Sequence, residues 1–172
     1  TQGMNQIKFL DVKAINLRLE NDLNNSFYEF INSGNFILGE SLNKFEKDFA
    51  TYCGSKFCVG VANGLDALKL ILLSHNIGPG DEVIVPSNTY IATWLAISDV
   101  GAKIVPVEPG IDLNIDPLEI ESVITKKTKA ILVVHLYGRL CRMKEIRTLA
   151  KKYDLLVFED AAQAHGAKLK NG

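Results

Sequence analysis

The sequence predicts an α/β fold: a mainly parallel sheet with helices on both faces. From Lys56 onward, apolar runs of strand length alternate with stretches whose apolar residues recur at steps of three and four. The strand runs, "DEVIVP" and "KAILVVH" among them, are continuously apolar, as in strands covered on both sides. No repeat, low-complexity tract or linker interrupts this rhythm.

Ahead of that region, Val12, Ile15, Leu19, Leu23, Phe27, Phe30 and Ile31 share one helical face over residues 11–32, with Ser33-Gly34 as a stop. A second amphipathic helix uses Leu42, Phe45, Phe49 and Tyr52 and ends at Gly54. A short strand, "FCVGVA", then leads to a helix, "GLDALKLILLSHN", and the turn Gly78-Pro79-Gly80. The strand "DEVIVP", the helix "TYIATWLAISDV" and the strand "AKIVPV" follow. A helix at 117–124 precedes "KAILVVH", and a helix at 142–152 runs into the apolar strand "LLVFED". The reading divides the chain into an N-terminal segment and helix (1–33), suited to a dimer contact, and a sheet domain (34–172).

The 172 residues make about one domain, with 47% hydrophobic and 23% charged residues, an ordinary globular composition. A net charge of −1 gives no general attraction to nucleic acid or anionic membrane. No apolar run has the ~20 residues of a membrane span, and the first residues lack the pattern of a secretory signal. Thr1-Gln2-Gly3 ahead of Met4 reads as a non-native leader. Cys53, Cys58 and Cys141 are odd in number and lack metal-ligand spacing, so they read as small buried thiols in a reducing cytoplasm, with no metal site.

In parallel sheets, ligands sit beyond the carboxyl ends of the strands, and four strand ends here carry chemistry. The first ends in Asn63-Gly64 at a helix start, where free amides form an anion site; the same dipeptide also serves as a plain capped turn. The second ends near Tyr90, which either offers its face to a planar ring or packs at the next helix start. His135, at the end of "KAILVVH", is a base, a ligand or a hydrogen-bonded structural histidine. The last strand runs into Glu159 and Asp160, and burying a carboxylate is costly unless a cation or donors meet it. An anion site, an aromatic face and a strand-end carboxylate describe a phosphorylated, flat, cationic ring. Pyridoxal phosphate has these parts, with a carboxylate keeping its pyridine nitrogen protonated.

From "FLDVKAINLR" to its end, the chain resembles the amino-terminal part of the DegT/DnrJ/EryC1/StrS sugar aminotransferases, with the type I pyridoxal phosphate fold. "GNFILGESLNKFEKDFATYCG", "VANGLDALKL", "GPGDEVIVPSNTYIATWLAI", "NIDPLEIESVITKKTKAILVVHLYG" and "FEDAAQAHGA" carry the resemblance. It implies that Asn63, Gly64 and Leu65 meet the cofactor phosphate, the last two through backbone amides. Tyr90 stacks on the ring, Ala162 packs on its other face, Asp160 pairs with the pyridine nitrogen and Gln163 lies near the ring hydroxyl. His135 and Arg139 are expected to line the cleft. "YGRLCRM" departs from the family wording, and its Arg139 and Arg142 either add positive charge toward a sugar diphosphate or a partner subunit or are exposed arginines at a helix start. Glu159 points the opposite way from Asp160 and is structural.

The resemblance further implies transfer of an amino group from an amino acid, usually glutamate, to a nucleotide-linked keto-deoxysugar. The wording around "ANGLDAL" and "PSNTYIATWLA" is closest to enzymes acting on dTDP-3-keto-6-deoxyhexoses, whose products feed bacterial surface polysaccharides. Such relatives are cytoplasmic homodimers. Their Schiff-base lysine lies roughly two dozen residues past the aspartate, beyond Gly172, and Lys168 and Lys170 are too close to Asp160 to serve. Three alternatives remain open: a sugar dehydratase of the same family with histidine in place of that lysine, a NAD-binding Rossmann domain, and a non-catalytic, cofactor-free interaction module. The second lacks Gly-x-Gly-x-x-Gly after its first strand.

Overall fold

Side chains on successive strand residues alternate between two covered faces of the sheet, and that alternation separates Asp160 from Glu159. The computed structural model describes residues 8–169; Lys170 and the residues ahead of Met4 lie outside them. The elements are α1 (Val12–Leu17), α2 (Glu20–Ser33), α3 (Glu40–Cys53), α4 (Gly64–Ser74), β1 (Glu82–Pro86), α5 (Ile91–Asp99) and β2 (Lys103–Val107). These are followed by α6 (Pro117–Ile120) with a 3-10 turn over Glu121–Val123, β3 (Thr128–Val134), a 3-10 turn over Leu136–Gly138, α7 (Met143–Tyr153) and β4 (Leu156–Asp160).

The described residues fall into two compact units. The first runs to Thr51 and takes in Ser55–Cys58; the second comprises Tyr52–Gly54 and the chain from Val59 onward. The units thus part within residues 51–59, whereas the sequence reading drew its boundary at 33/34. In the first unit, the helix expected over 11–32 is two helices. Leu19 leaves helical geometry, and Glu20 and Asp22 fall in the first turn of α2, where acidic side chains favour a new N-terminus. Neither α1 nor α2 buries a residue, so Val12, Ile15, Leu23, Phe27 and Tyr28 stand exposed.

In the second unit, four parallel strands lie in the order β2-β1-β3-β4. The chain moves from β1 to β2 on one side and then returns to place β3 on the other side of β1, so the order reverses at the β1/β3 boundary. Reversals of this kind open a crevice at the strands' carboxyl ends. Val83 and Val85 of β1, Ala130, Leu132 and Val134 of β3, and Phe158 of β4 pack with Leu68 and Leu72 of α4 and Ala96 and Ile97 of α5. Ile84, Ile131 and Val133 project to the opposite face, against Met143, Ile146 and Ala150 of α7. Burying these branched side chains supplies most of the driving force, at about 25 cal/mol per Å² of apolar surface.

Two strand expectations need correcting. "FCVGVA" joins no ladder among the described residues, since an extended run becomes a strand only beside a neighbour that takes up its backbone groups, and the sheet holds only β1–β4. β4, expected to be buried, stands at the edge of the sheet that the described residues form, where Phe158 is its one buried residue and Leu156 is exposed. Among the described residues no helix is long and apolar enough to cross a membrane.

The α7 face also carries a polar network. His135 is 1% exposed, and its Nδ1 accepts the Cys141 amide at 3.1 Å. With an N–H pointing at Nδ1, the ring proton resides on Nε2, which donates to Glu159 Oε2 at 3.0 Å. Arg147 Nη2 donates to Glu159 Oε1 at 3.1 Å. The hydrogen bond from His135, and then Arg147, hold the Glu159 carboxyl below the usual carboxylate range against the opposing effect of burial. Its contribution to stability is therefore complete above its ordinary value of about 4.5 and is lost as pH falls through the lower folded value. Glu159→Gln in the full-length protein should lower the denaturation midpoint at pH 7, and its gap to wild type should close as pH drops below about 4.5. A gap of constant size from pH 7 to pH 3 would show that the ion pair is not its source.

Candidate active site

At the carboxyl ends of β1, β3 and β4 lies a cavity of about 500 Å3. Asn63, Gly64, Leu65, Tyr90, Asp160, Ala162 and Gln163, all singled out from the sequence, line it. Thr89, Thr93, Leu68, Leu95, Val134 and Leu136 complete most of its wall.

The floor is the first turn of α4. Asn63 caps that helix: its Oδ1 accepts the Asp66 amide at 2.9 Å, its Nδ2 donates to Asp66 Oδ2 at 3.0 Å, and its carbonyl takes the Ala67 amide. The amides of Gly64 and Leu65 are left without an acceptor inside the helix. A Cβ built on Gly64 would meet nothing within 4 Å, so a ligand can approach the backbone there. Two free amides at the positive end of an eleven-residue helix make an anion site.

One wall is the start of α5. Tyr90 occupies the cap position with an extended backbone, is 75% exposed and lines the cavity. The indole of Trp94 donates to the Pro86 carbonyl at 3.3 Å, tying α5 to the end of β1. Thr89 and Thr93 share a hydroxyl hydrogen bond of 2.9 Å, a pairing their four-residue spacing at a helix start makes possible.

The opposite wall is the end of β4. Asp160 pairs in register with Val134, and its amide-facing Oδ1 accepts the Ala162 N–H at 3.0 Å. Its other oxygen has no hydrogen-bond partner among the described residues. Asp160 is half-buried at the edge of the sheet that the described residues form. Among the described residues, no lysine, arginine or histidine lines the cavity. Gln163 Oε1 accepts the Tyr137 amide at 2.6 Å, which leaves its NH2 group as the available donor.

The remaining expectations meet a different arrangement. His135 does not line the cavity: it follows Val134 and turns to the α7 face, where both ring nitrogens are occupied. Arg139 is exposed and also outside the lining. Arg142, expected to reach toward the cleft, is paired with Asp116 and lies 3.8 Å from Asp112. Glu159 lies opposite Asp160 across the sheet, as strand alternation requires. Lys168 is exposed and outside the lining. Of the cysteines, Cys141 is buried, Cys58 is half-buried and Cys53 is exposed, which corrects the expectation of three buried thiols. No cluster of His, Cys, Asp or Glu among the described residues is arranged to hold a metal. Sequence reasoning passed over Asn114, which is fully buried and hydrogen-bonded to both ends of the Leu136–Arg139 turn.

Comparison with known proteins finds similar chains of named activity and of solved structure. A transaminase of Aneurinibacillus thermoaerophilus, dTDP-3-amino-3,6-dideoxy-alpha-D-galactopyranose transaminase, is 58% identical over 162 residues, covering 94% of this chain and 45% of that protein. The structure of S. venezuelae DesV in complex with a ketimine intermediate superposes with a TM-score of 0.92 at 49% identity, over 95% of this chain and 44% of DesV. NtdA of Bacillus subtilis, solved with bound cofactor PMP, gives a TM-score of 0.89 at 38% identity, over 96% of this chain and 38% of that one. The chain thus spans less than half the length of these relatives. The family profile of the DegT/DnrJ/EryC1/StrS aminotransferases matches residues 18–172, and the chain belongs to that family.

Proposed function

We propose that the whole protein is a pyridoxal phosphate-dependent aminotransferase that moves an amino group from an amino acid, by expectation glutamate, to a nucleotide-linked keto-deoxysugar such as a dTDP-3-keto-6-deoxyhexose. The observation that carries this is the composition of one cavity: free amides at a helix N-terminus, an exposed aromatic face and a carboxylate with an open oxygen. A ligand matching all three is anionic at α4, flat beside Tyr90 and cationic at Asp160. The residues present therefore fit pyridoxal phosphate. When bound, that group supplies an electron sink for amino-group transfer.

The chain's own residues divide the work. Gly64 and Leu65 bind the ester phosphate with backbone N–H groups, so no basic side chain is required there. Tyr90 on one side and Ala162 on the other hold the ring flat. Asp160 keeps a proton on the ring nitrogen by placing a negative charge beside it, and the Gln163 NH2 donates toward the ring hydroxyl. The resemblance sets the Schiff-base lysine beyond Gly172. The sugar substrate is suggested by the A. thermoaerophilus relative, a dTDP-3-amino-3,6-dideoxy-alpha-D-galactopyranose transaminase.

A cytoplasmic homodimer belongs to the same reading. The exposed apolar side chains of α1 and α2, Val12, Ile15, Leu23, Phe27 and Tyr28, form the kind of surface that a second copy covers. Light scattering on the full-length protein at micromolar concentration should give twice the monomer mass, and a monomer removes this assignment.

For the cofactor, the full-length protein should be yellow and should form an amino sugar from a dTDP-keto-deoxysugar and glutamate. Asp160→Asn, which keeps the shape and removes the charge, should lower turnover by at least about a hundredfold and alter the visible spectrum. A colourless protein that binds NAD, or an Asp160→Asn variant with wild-type spectrum and rate, overturns the assignment. A deoxygenated product in place of an amino sugar replaces it with the dehydratase.

A further inference from the structure

Leu136–Arg139 is a turn that does not hold itself. Tyr137 has φ +59° and Gly138 φ +79°, two consecutive left-handed residues of which one carries a Cβ. A single backbone bond, from the Arg139 amide to the Leu136 carbonyl at 3.0 Å, closes the turn. The two outward-facing polar groups at its ends are taken by one side chain. Asn114 Oδ1 accepts the Leu136 amide at 3.1 Å, and Asn114 Nδ2 donates to the Arg139 carbonyl at 2.8 Å. Asn114 is 0% exposed, so losing either bond leaves a polar group stranded.

The turn in its turn sets Gln163. With Tyr137 left-handed, its N–H meets Gln163 Oε1, and the turn packs closely on the Gln163 backbone: a Cβ on Gly138 would stand 3.3 Å from the Gln163 carbonyl oxygen. Gln163 thereby presents its NH2 end, and not its oxygen, as the free group at the cavity. The loop carrying Asn114 is itself anchored on the other side of the cleft, because Asn88, two residues before Tyr90, donates to the Leu113 carbonyl at 3.0 Å. Ion pairing of Arg142 with Asp112 and Asp116 braces the same loop.

We propose that Asn114 is a positioning residue: by clamping both ends of the left-handed Tyr137-Gly138 pair, it fixes the donor orientation of Gln163 toward the cofactor's ring oxygen. This rests on the pyridoxal phosphate reading and adds a residue that lines no part of the cavity.

The test is a double-mutant cycle in the full-length protein, read by equilibrium titration of the cofactor-free form with pyridoxal phosphate and by amide exchange at Tyr137. Asn114→Ala should weaken cofactor affinity about tenfold in the wild-type background and by less than about twofold in Gln163→Ala. It should also speed exchange of the Tyr137 amide with no cofactor present. Unchanged affinity, or the same tenfold loss in both backgrounds, overturns the proposal, as does Tyr137 exchange at the wild-type rate. If wild-type protein binds no pyridoxal phosphate, the functional reading fails on its own, and the exchange measurement still decides whether Asn114 holds the turn. Should Asn114→Ala not fold, Asn114→Asp, which keeps the acceptor for Leu136 and removes the donor to Arg139, is judged by the same criteria.

Discussion

A side chain on a parallel strand leaves the sheet on one face or the other, and the pairing of β3 with β4 decides which. Val134 lies beside Asp160 and Val133 beside Glu159. The first pair belongs to the face covered by α4 and α5, the second to the face covered by α7. A slip of one residue would exchange the two carboxylates, putting Glu159 in the cavity and Asp160 against His135. The apolar residues that fill both faces hold that register, so the chemistry of the site rests on packing several ångströms away from it.

The two adjacent carboxylates show what each environment makes of a similar group. Glu159 is committed: one oxygen accepts a hydrogen bond from His135 Nε2, the other from an Arg147 N–H. Asp160 keeps one oxygen for its own turn and the other uncommitted, in a cavity with no basic side chain. An uncommitted carboxylate facing such a wall is stabilised by whatever cation a ligand brings, which makes the protein more stable with the ligand than without it. The helix N-terminus at Gly64 completes the complement by favouring negative charge. The site is therefore electrically matched to a ligand of mixed sign rather than to a simple anion or cation.

Much of this was legible in the sequence because local pattern and final environment agree. Val83, Val85, Leu132 and Val134 are apolar because both faces of the central strands are covered, and Tyr90, Asp160, Ala162 and Gln163 lie at or shortly after the ends of β1 and β4. What escaped the reading depends on partners distant in the chain. "FCVGVA" has strand composition, but a ladder needs a neighbour that composition does not supply. β4 is apolar yet half-exposed because it ends the sheet as described. His135 was drawn toward the cleft by its place at a strand end, although parity with Val134 sends it to the other face. Arg142 finds acids 30 and 26 positions earlier, and Asn114 bonds residues 22 and 25 positions later, so neither role has a local signature.

Cys141 sits behind this arrangement. Its Sγ donates to the Val134 carbonyl at 3.2 Å, and burial, followed by the charges of Asp112 and Glu159, pushes its thiol up to about 12. A sulfur that almost never ionises and cannot be reached is inert to alkylating reagents, while Cys53 on the surface is not. The rate at which Cys141 is labelled is then set by how often the layer beneath α7 comes apart, and the protein carries, at the back of its sheet, an intrinsic clock for local opening.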